Sequence, residues 1–372
     1  MMPPSLRART DARRQSPVAA NKLFRKYAMN EDNAVKKLQR ATANRAWWGL
    51  AGLCALAIIT AEAAAPSASS NASGPFTIVM LPDTQHYSRR YHDLFTGQTE
   101  WIKENRDKEN IVFVTHVGDV VNDRKKDTNQ WVVANKAMSV LDGVVPWGVA
   151  IGNHDFDNTA CKPDQATAFL QYFGPQRFRG YPWFGGASKN GLNTYQLFSG
   201  GGIDFVALHL ELDIPDFAID WAKDVLRTHP TRAAIITTHS YLNGTTSTNG
   251  YNQDVAKGGN SAMEVWDKLI RDHPQIFLVL CGHHQRTVSY HQVSTNNVGA
   301  RVVEMLADYQ KWHNGGDGWL RLLRFDPAKG EIQARTYSPA LKEFQTEPKH
   351  QFTVPLDLPA CCLQKKAAGS KP

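Results

Sequence analysis

The sequence predicts an α/β sandwich of mixed sheets, and three observations predict it. Apolar runs of strand length recur along the chain. Patterns with a period near 3.6 residues, the signature of amphipathic helices, lie between several of these runs. The C-terminal part then reads as strands with no helical pattern between them. With 372 residues, 42% hydrophobic content and ten tryptophans, the chain has ample core for one large domain or two small ones. It shows no internal repeat.

In chain order the strand candidates are Phe76–Leu81, Ile111–Val117, Pro146–Ile151, Ile203–Leu210, Ala233–Thr238 and Gln275–Cys281. Helical faces are expected at Trp131, Ala134, Met138 and Leu141, at Phe217, Trp221 and Val225, and at Val265, Trp266, Leu269 and Ile270. Asp213 and Pro215 signal the start of the second of these helices, and Pro274 closes the third. Late strands are expected at Arg301–Leu306, Trp319–Phe325, Glu331–Tyr337 and Gln351–Val354, with 326–330 as a turn, together completing one of the sheets.

Charge is unevenly placed. The formal balance is +7, and residues 1–65 carry all of it, with 11 Lys/Arg against 4 Asp/Glu. The rest of the chain is neutral, with 31 of each, so the basic balance points to no nucleic-acid patch. Ala46–Ala61 is an uncharged apolar run preceded by Lys36, Lys37, Arg40 and Arg45 and followed by EAAAPSASS. This is the pattern of a secretory signal, with cleavage near Ala63 or Ala65 and Met29 as a candidate true start. A retained N-terminal anchor is the alternative, and the membrane is a partner only in that case. The run is somewhat short for a span of about 20 residues. The expected organisation is a leader or anchor at 1–65, a linker at 66–74, one domain at 75–357 and a flexible tail at 358–372. Export to the periplasm or exterior follows from the leader. Cys54 lies inside the apolar run, after Leu53, and is poorly placed for lipid attachment. The other cysteines are Cys161, Cys281, Cys361 and Cys362, with Cys281 expected as a buried thiol.

Ligands collect at the carboxyl ends of strands in α/β sheets, so the residues after each run carry the functional signal. Asp83, Gln85 and His86 follow the first run, and Asp119, Asn122 and Asp123 the second. Asn153, His154 and Asp155 follow the third, His239 the fifth, and Gly282, His283, His284 and Gln285 the sixth. A lone GD or GNH is ordinarily a turn or a helix cap. Five strand ends that each deliver a carboxylate, carboxamide or imidazole point instead to a shared metal site.

The combined set DxQ, GD, GNHD, a lone His and GHxQ resembles the calcineurin-like metallophosphoesterase superfamily, over about residues 75–340. The DTQ opening and the LADYQ…GWLRLLRFDP stretch resemble a secreted bacterial branch of it. The resemblance implies a four-layer α/β/β/α sandwich of two mixed sheets. It implies two divalent ions and hydrolysis of phosphate esters by a hydroxide shared between those ions. It places one ion on Asp119, Asn153, His239 and His283, and the other on Asp83, Asp119 and the positions of Gln85 and Gln285. At both of the last two positions the family pattern has histidine. Both departures fall on the same ion, so that site gains amide oxygens in place of nitrogens. Oxygen donors favour harder ions, and of Mn, Fe and Zn the sequence favours Mn. Two alternatives to this mixed site are that His86 or His284 replaces the missing nitrogen, or that the first site is weak. His154 resembles the family residue that protonates the leaving group or steadies the phosphate, a helix-capping histidine being the other reading.

Other residues have two readings. Asn122 or Asp123 either orients His154 or is an ordinary loop residue. Asp155 is either a cap or a site residue, and His116 is expected to be packed behind the site. Tyr241, the loop 243–260, the stretch 179–186 and the aromatic-rich 308–319 could line a cleft or simply pack. The functional expectation is a secreted phosphoesterase acting on monoesters or diesters. The alternative is a cell-surface binding module with a degenerate first metal site. A purple acid phosphatase needs a tyrosine shortly after Asp119, and GDVVNDRKK offers none.

Overall fold

The computed structural model describes residues 74–123, 128–157, 165–255, 258–358 and Cys362. The leader or anchor read at 1–65, nearly all of the 66–74 linker, Cys54, Cys161, Cys361 and the tail beyond Cys362 lie outside the described residues. Among the described residues no helix is long and apolar enough to cross a membrane.

The chain opens with β1 (Phe76–Leu81), α1 (Gln85–Arg89), α2 (His92–Asn105), β2 (Ile111–His116), α3 (Thr128–Ser139) and β3 (Trp147–Val149). Two short helices follow, α4 (Thr167–Phe173) and α5 (Pro175–Phe178), and then β4 (Phe184–Ala187), β5 (Thr194–Gly200), β6 (Ile203–His209) and α6 (Asp216–Thr228). Next come β7 (Ala233–Thr237), α7 (Ala262–Val265, running into one π turn at Trp266–Ile270), β8 (Ile276–Cys281), β9 (Ser289–Thr295) and β10 (Arg301–Ala307). The last strands are β11 (Leu320–Asp326), β12 (Glu331–Ser338), β13 (Glu343–Phe344) and β14 (Gln351–Pro355).

They form two seven-stranded sheets. The first runs β13-β12-β11-β1-β2-β3 with β14 also paired to β12, and the second runs β4-β5-β6-β7-β8-β10-β9. Both are mixed. β1, β2 and β3 are mutually parallel, as are β6, β7, β8 and β10, while β11 runs antiparallel to β1.

β1 shows why its sequence is an unbroken apolar run. Phe76, Ile78 and Met80 join the core between the sheets, and Val79 and Leu81 join the core beneath α1–α4. A strand covered on both faces has no polar side to present. Phe76 stacks on Phe325 at 4.8 Å and Phe113 on Phe198 at 4.3 Å between ring centroids, and each buried Phe side chain contributes roughly 1.5–3 kcal/mol. A third core packs the other face of the second sheet against α6 and α7. The result is helices, sheet, sheet and helices: the four-layer sandwich expected.

Three expectations change. Arg301–Ala307 does not help to complete the first sheet. It lies between β8 and β9 in the second, parallel to β8, because the β9 hairpin returns the chain to that edge. The polar runs of β4, β5 and β9 escaped the apolar criterion; each lies toward a sheet edge, where only part of the strand is buried. On α6, Phe217 is 48% exposed, and Ala218, Ile219, Ala222, Val225 and Leu226 face the sheet. Small alanines there let the helix axis approach. Cys281 is a free buried thiol, as expected, and Cys362 is also buried, against the core between the sheets.

Candidate metal centre

The parallel strands of both sheets end on one side, and the loops beyond them meet there. Val117 N donates to Leu81 O at 3.1 Å, and Gly282 N to His239 O at 2.9 Å, so each loop leaves its strand fixed to its neighbour. Below the loops Thr115 Oγ1 lies 2.8 Å from Thr237 Oγ1 and 2.9 Å from His209 Nε2, which pins one sheet to the other.

Asp119 sits at the middle. It is buried, and its backbone is left-handed at φ +54°, following Gly118 at φ +101°. His283 is also left-handed, at φ +71°. Such conformations cost a non-glycine residue of order 1–3 kcal/mol and persist where the surroundings impose them. A Cβ on Gly118 would stand 2.8 Å from Gly152 N and 2.9 Å from His239 Nδ1, and one on Gly152 would collide with the Asp119 carboxylate. The glycines of GD and GNH therefore make room for this carboxylate.

Asp119 Oδ1 accepts a hydrogen bond from His154 N at 2.8 Å. Its Oδ2 accepts from Gln85 Nε2 at 3.2 Å and lies 3.3 Å from His239 Nε2. His239 Nδ1 donates to Val117 O at 3.0 Å, so Nε2 turns inward, 3.1 Å from both Asn153 Oδ1 and His283 Nδ1. Ligand atoms of Asp119, His239 and His283 all lie within 4.8 Å of one another. Asp83 is buried too. Its Oδ2 accepts from His283 N at 3.1 Å and Gln310 Nε2 at 3.0 Å, while its Oδ1 has no hydrogen-bond partner.

The electrostatics suit a cation. Burial first, then the charges of Asp308 and Asp119, pushes the Asp83 carboxyl well up. Burial also raises Asp119, but His239, His154 and His283 more than offset it and hold that carboxyl below its usual range. Burial lowers His239, yet Asp119 lifts it to about 9, whereas burial and the His239 charge push His283 down to about 3. A buried carboxylate oxygen without a partner, beside a second acid and two inward imidazoles, is costly unless a cation joins them. The residues present fit a divalent ion.

His154 has its Nδ1 2.8 Å from the backbone carbonyl of Asn122, which makes Nδ1 the donor and turns Nε2 the other way. The Asn122 main chain thus orients the ring, and Gln130 Oε1 holds that loop by accepting from Asn122 N (2.8 Å) and Asp123 N (3.0 Å). Asp155 is a cap that ties two loops, accepting from Gly152 N and Val121 N. His116 is packed, with Nε2 2.9 Å from Thr84 Oγ1 and Nδ1 accepting from Gly118 N.

Gln285 lines a cavity of about 370 Å³ that His283 of the centre also lines, with His284, Arg286, Asn243 and Asp254. His284 Nε2 is 3.3 Å from Ser240 Oγ, and His86 lines a separate cavity of about 200 Å³ with Arg89 and Arg90. Gln310 meets both Asp83 and Gln85, and through it Asp308 joins them. Gln310 Oε1 accepts from Gln85 Nε2 at 2.5 Å, and Gln310 Nε2 donates to Asp308 Oδ2 at 3.1 Å. Both follow β10, so the strand-end rule that found the other residues points to them as well.

Tyr241 is structural. Its hydroxyl donates to buried Glu304 Oε1 at 3.0 Å, as does Tyr251. Burial lifts Glu304 from the ordinary 4.5 to about 7. The folded state keeps this proton where the unfolded state loses it, so stability is greatest at low pH and falls as pH rises from 4.5 to about 7. The drop is about 3 kcal/mol. Denaturant titrations across this window should give a wild-type slope that Glu304→Gln flattens; parallel profiles would refute it.

Residues 76–287 match the calcineurin-like phosphoesterase family. The chain belongs to that family. It is 36% identical over 296 residues to the uncharacterized protein YvnB of Bacillus subtilis (strain 168). The match covers 76% of this chain but spans about a fifth, 22%, of that relative's length. Among solved structures it is similar to a dimetal phosphatase from Danio rerio, at 12% identity and TM-score 0.46, covering 76% of this chain and 99% of that one. It is also similar to purple acid phosphatase PPD1 from yellow lupin (Lupinus luteus) seeds, at 12% identity and TM-score 0.48, covering 80% of this chain and 58% of that one.

Proposed function

We propose that the chain is an exported phosphoesterase that cleaves phosphomonoesters or phosphodiesters with a pair of divalent ions. The observation that carries this reading is the meeting of Asp119, Asn153, His239 and His283, from loops of both sheets, around His239 Nε2. These four would hold one ion. Asp83 and Gln85, sharing Asp119, would hold the other, with manganese favoured by the oxygen-rich donors and Gln285 at its margin. Such ions polarise a water toward phosphorus and offset charge that develops on the phosphoryl oxygens.

The chain's own residues supply the rest. Asp119 fixes both halves of the centre. His154, braced through Nδ1, presents Nε2 to protonate the departing oxygen. The cavity beside His283 gives the alcohol portion of the ester a place, and Arg286 adds positive charge at its wall. Export rests on the charged, apolar and small-residue segments before residue 66.

The test is hydrolysis of an aryl phosphate and a bis-aryl phosphate by purified protein loaded in turn with Mn, Fe, Zn and Mg. Turnover of at least one ester is expected, abolished by chelation and restored best by Mn. Failure on both esters with every ion would leave the binding-module reading in its place.

A further inference from the structure

We infer that Asp308 is a direct ligand of the Asp83 ion, completing an all-oxygen site where the family pattern has imidazoles. This rests on the two-ion reading above.

Asp308 follows β10, which runs parallel to β8, so it leaves the sheet from the same edge as His283. Asp308 is fully buried, and its backbone is fixed by donation of its N–H to Val288 O at 2.8 Å. Gln310 N donates to Asp308 Oδ1 at 3.0 Å and sets the side chain. One amide nitrogen, Gln310 Nε2, then stands between two carboxylates, 3.0 Å from Asp83 Oδ2 and 3.1 Å from Asp308 Oδ2. Its weakly positive NH₂ occupies the place where a cation would meet both acids.

The other oxygen of Asp83, a residue 1% exposed, has no hydrogen-bond partner: Oδ1 lies 3.5 Å from His239 Nδ1, on the side of the imidazole-bearing half, while Oδ2 faces Gln310 and Asp308. Asp83 Cγ and Oδ1 approach Gly282, whose added Cβ would stand 3.0 Å from Oδ1. Asp83 and Asp119 both approach the His239 ring, Asp83 Oδ1 at 3.5 Å from Nδ1 and Asp119 Oδ2 at 3.3 Å from Nε2, so the two halves of the centre adjoin.

The donor set then reads Asp83, Asp119 and Asp308 with a carboxamide oxygen of Gln85 or Gln310. Amide oxygen and nitrogen can exchange places by a half-turn. Oxygen-only shells take Mg, Mn or Ca in preference to Zn. Sites of this kind need no histidine, so the replacement of both histidines leaves a working site of different preference.

The experiment is calorimetric titration of Mn into metal-free protein, with Mn electron paramagnetic resonance as a second readout, on wild type, Asp308→Asn and Asp308→Glu. Circular dichroism checks that each is folded. Wild type is expected to bind two equivalents. Asp308→Asn should keep one and weaken the other by more than about 100-fold, because a residue acting only through another ligand costs 10–100-fold. Asp308→Glu, which keeps the carboxylate, should lose less. Zinc binding at the imidazole-bearing half should stay within about twofold in all three, since its ligands are untouched. Two unchanged equivalents in Asp308→Asn, or a loss below that limit, would overturn direct ligation and leave the two-ion reading standing. Wild type that takes up fewer than two ions would overturn that reading itself, and this inference with it.

Discussion

Asp119→Asn should lower kcat/KM by about a thousandfold or more, since the ions a bridging carboxylate holds supply several kcal/mol of transition-state stabilisation. Asparagine keeps the shape and tolerates the left-handed backbone found at φ +54°, so the change isolates the charge. Three contacts depend on this side chain: the His154 amide, the Gln85 amide and His239 Nε2. The metal-free variant should also be less stable than metal-free wild type near neutral pH, because the change removes the buried partner that holds His239 protonated. Steady-state kinetics with metal, alongside thermal melting without it, test both halves. Retained activity within about tenfold would mean that Asp119 bridges nothing essential.

His154→Ala should cost about 100-fold or more on alkyl phosphates and little on nitrophenyl phosphates. General acid catalysis contributes typically 10²–10⁴-fold, but only where the departing oxygen needs the proton. A nitrophenolate leaves unaided. The backbone N–H of residue 154 still reaches Asp119 in the variant, so the carboxylate stays placed. The discriminating measurement is rate against leaving-group pKa for both proteins. Equal losses across the series would assign His154 to positioning rather than proton transfer.

Much of this was legible before any coordinates. β1 has the bounds Phe76–Leu81 in both readings because a strand buried on both faces writes itself as continuous apolar sequence. The same clarity at β2, β7 and β8 located Asp119, His239 and His283. β5 and β9 were illegible for the opposite reason: their half-buried and exposed positions include Tyr195, Ser199, Tyr290, Gln292 and Thr295, and apolar content alone does not register them. The placement of β10 is set by which edge the β9 hairpin leaves open, a fact of three dimensions that no local pattern encodes. Asp308 and Gln310 fell in a stretch read for its aromatics, and their approach to Gln85 spans 225 residues of chain. The bracing of His154 by a main-chain carbonyl leaves no trace in residue identity at all, since every residue has one.

The first sheet is interrupted: β1–β3 open it, the entire second sheet intervenes, and β11 returns to lie against β1. A growing polypeptide leaving the ribosome therefore holds β1 with one of its edges bare until β11 has emerged. Contacts so distant in sequence close slowly, and Asp83 and Asp119 do not have both His283 and Asp308 to meet until more than 180 further residues have followed Asp119. Ion capture is thus a late event in the life of the molecule, and a chain halted before residue 320 would present a complete second sheet beside a first sheet still lacking β11–β14 to whatever quality control surrounds it.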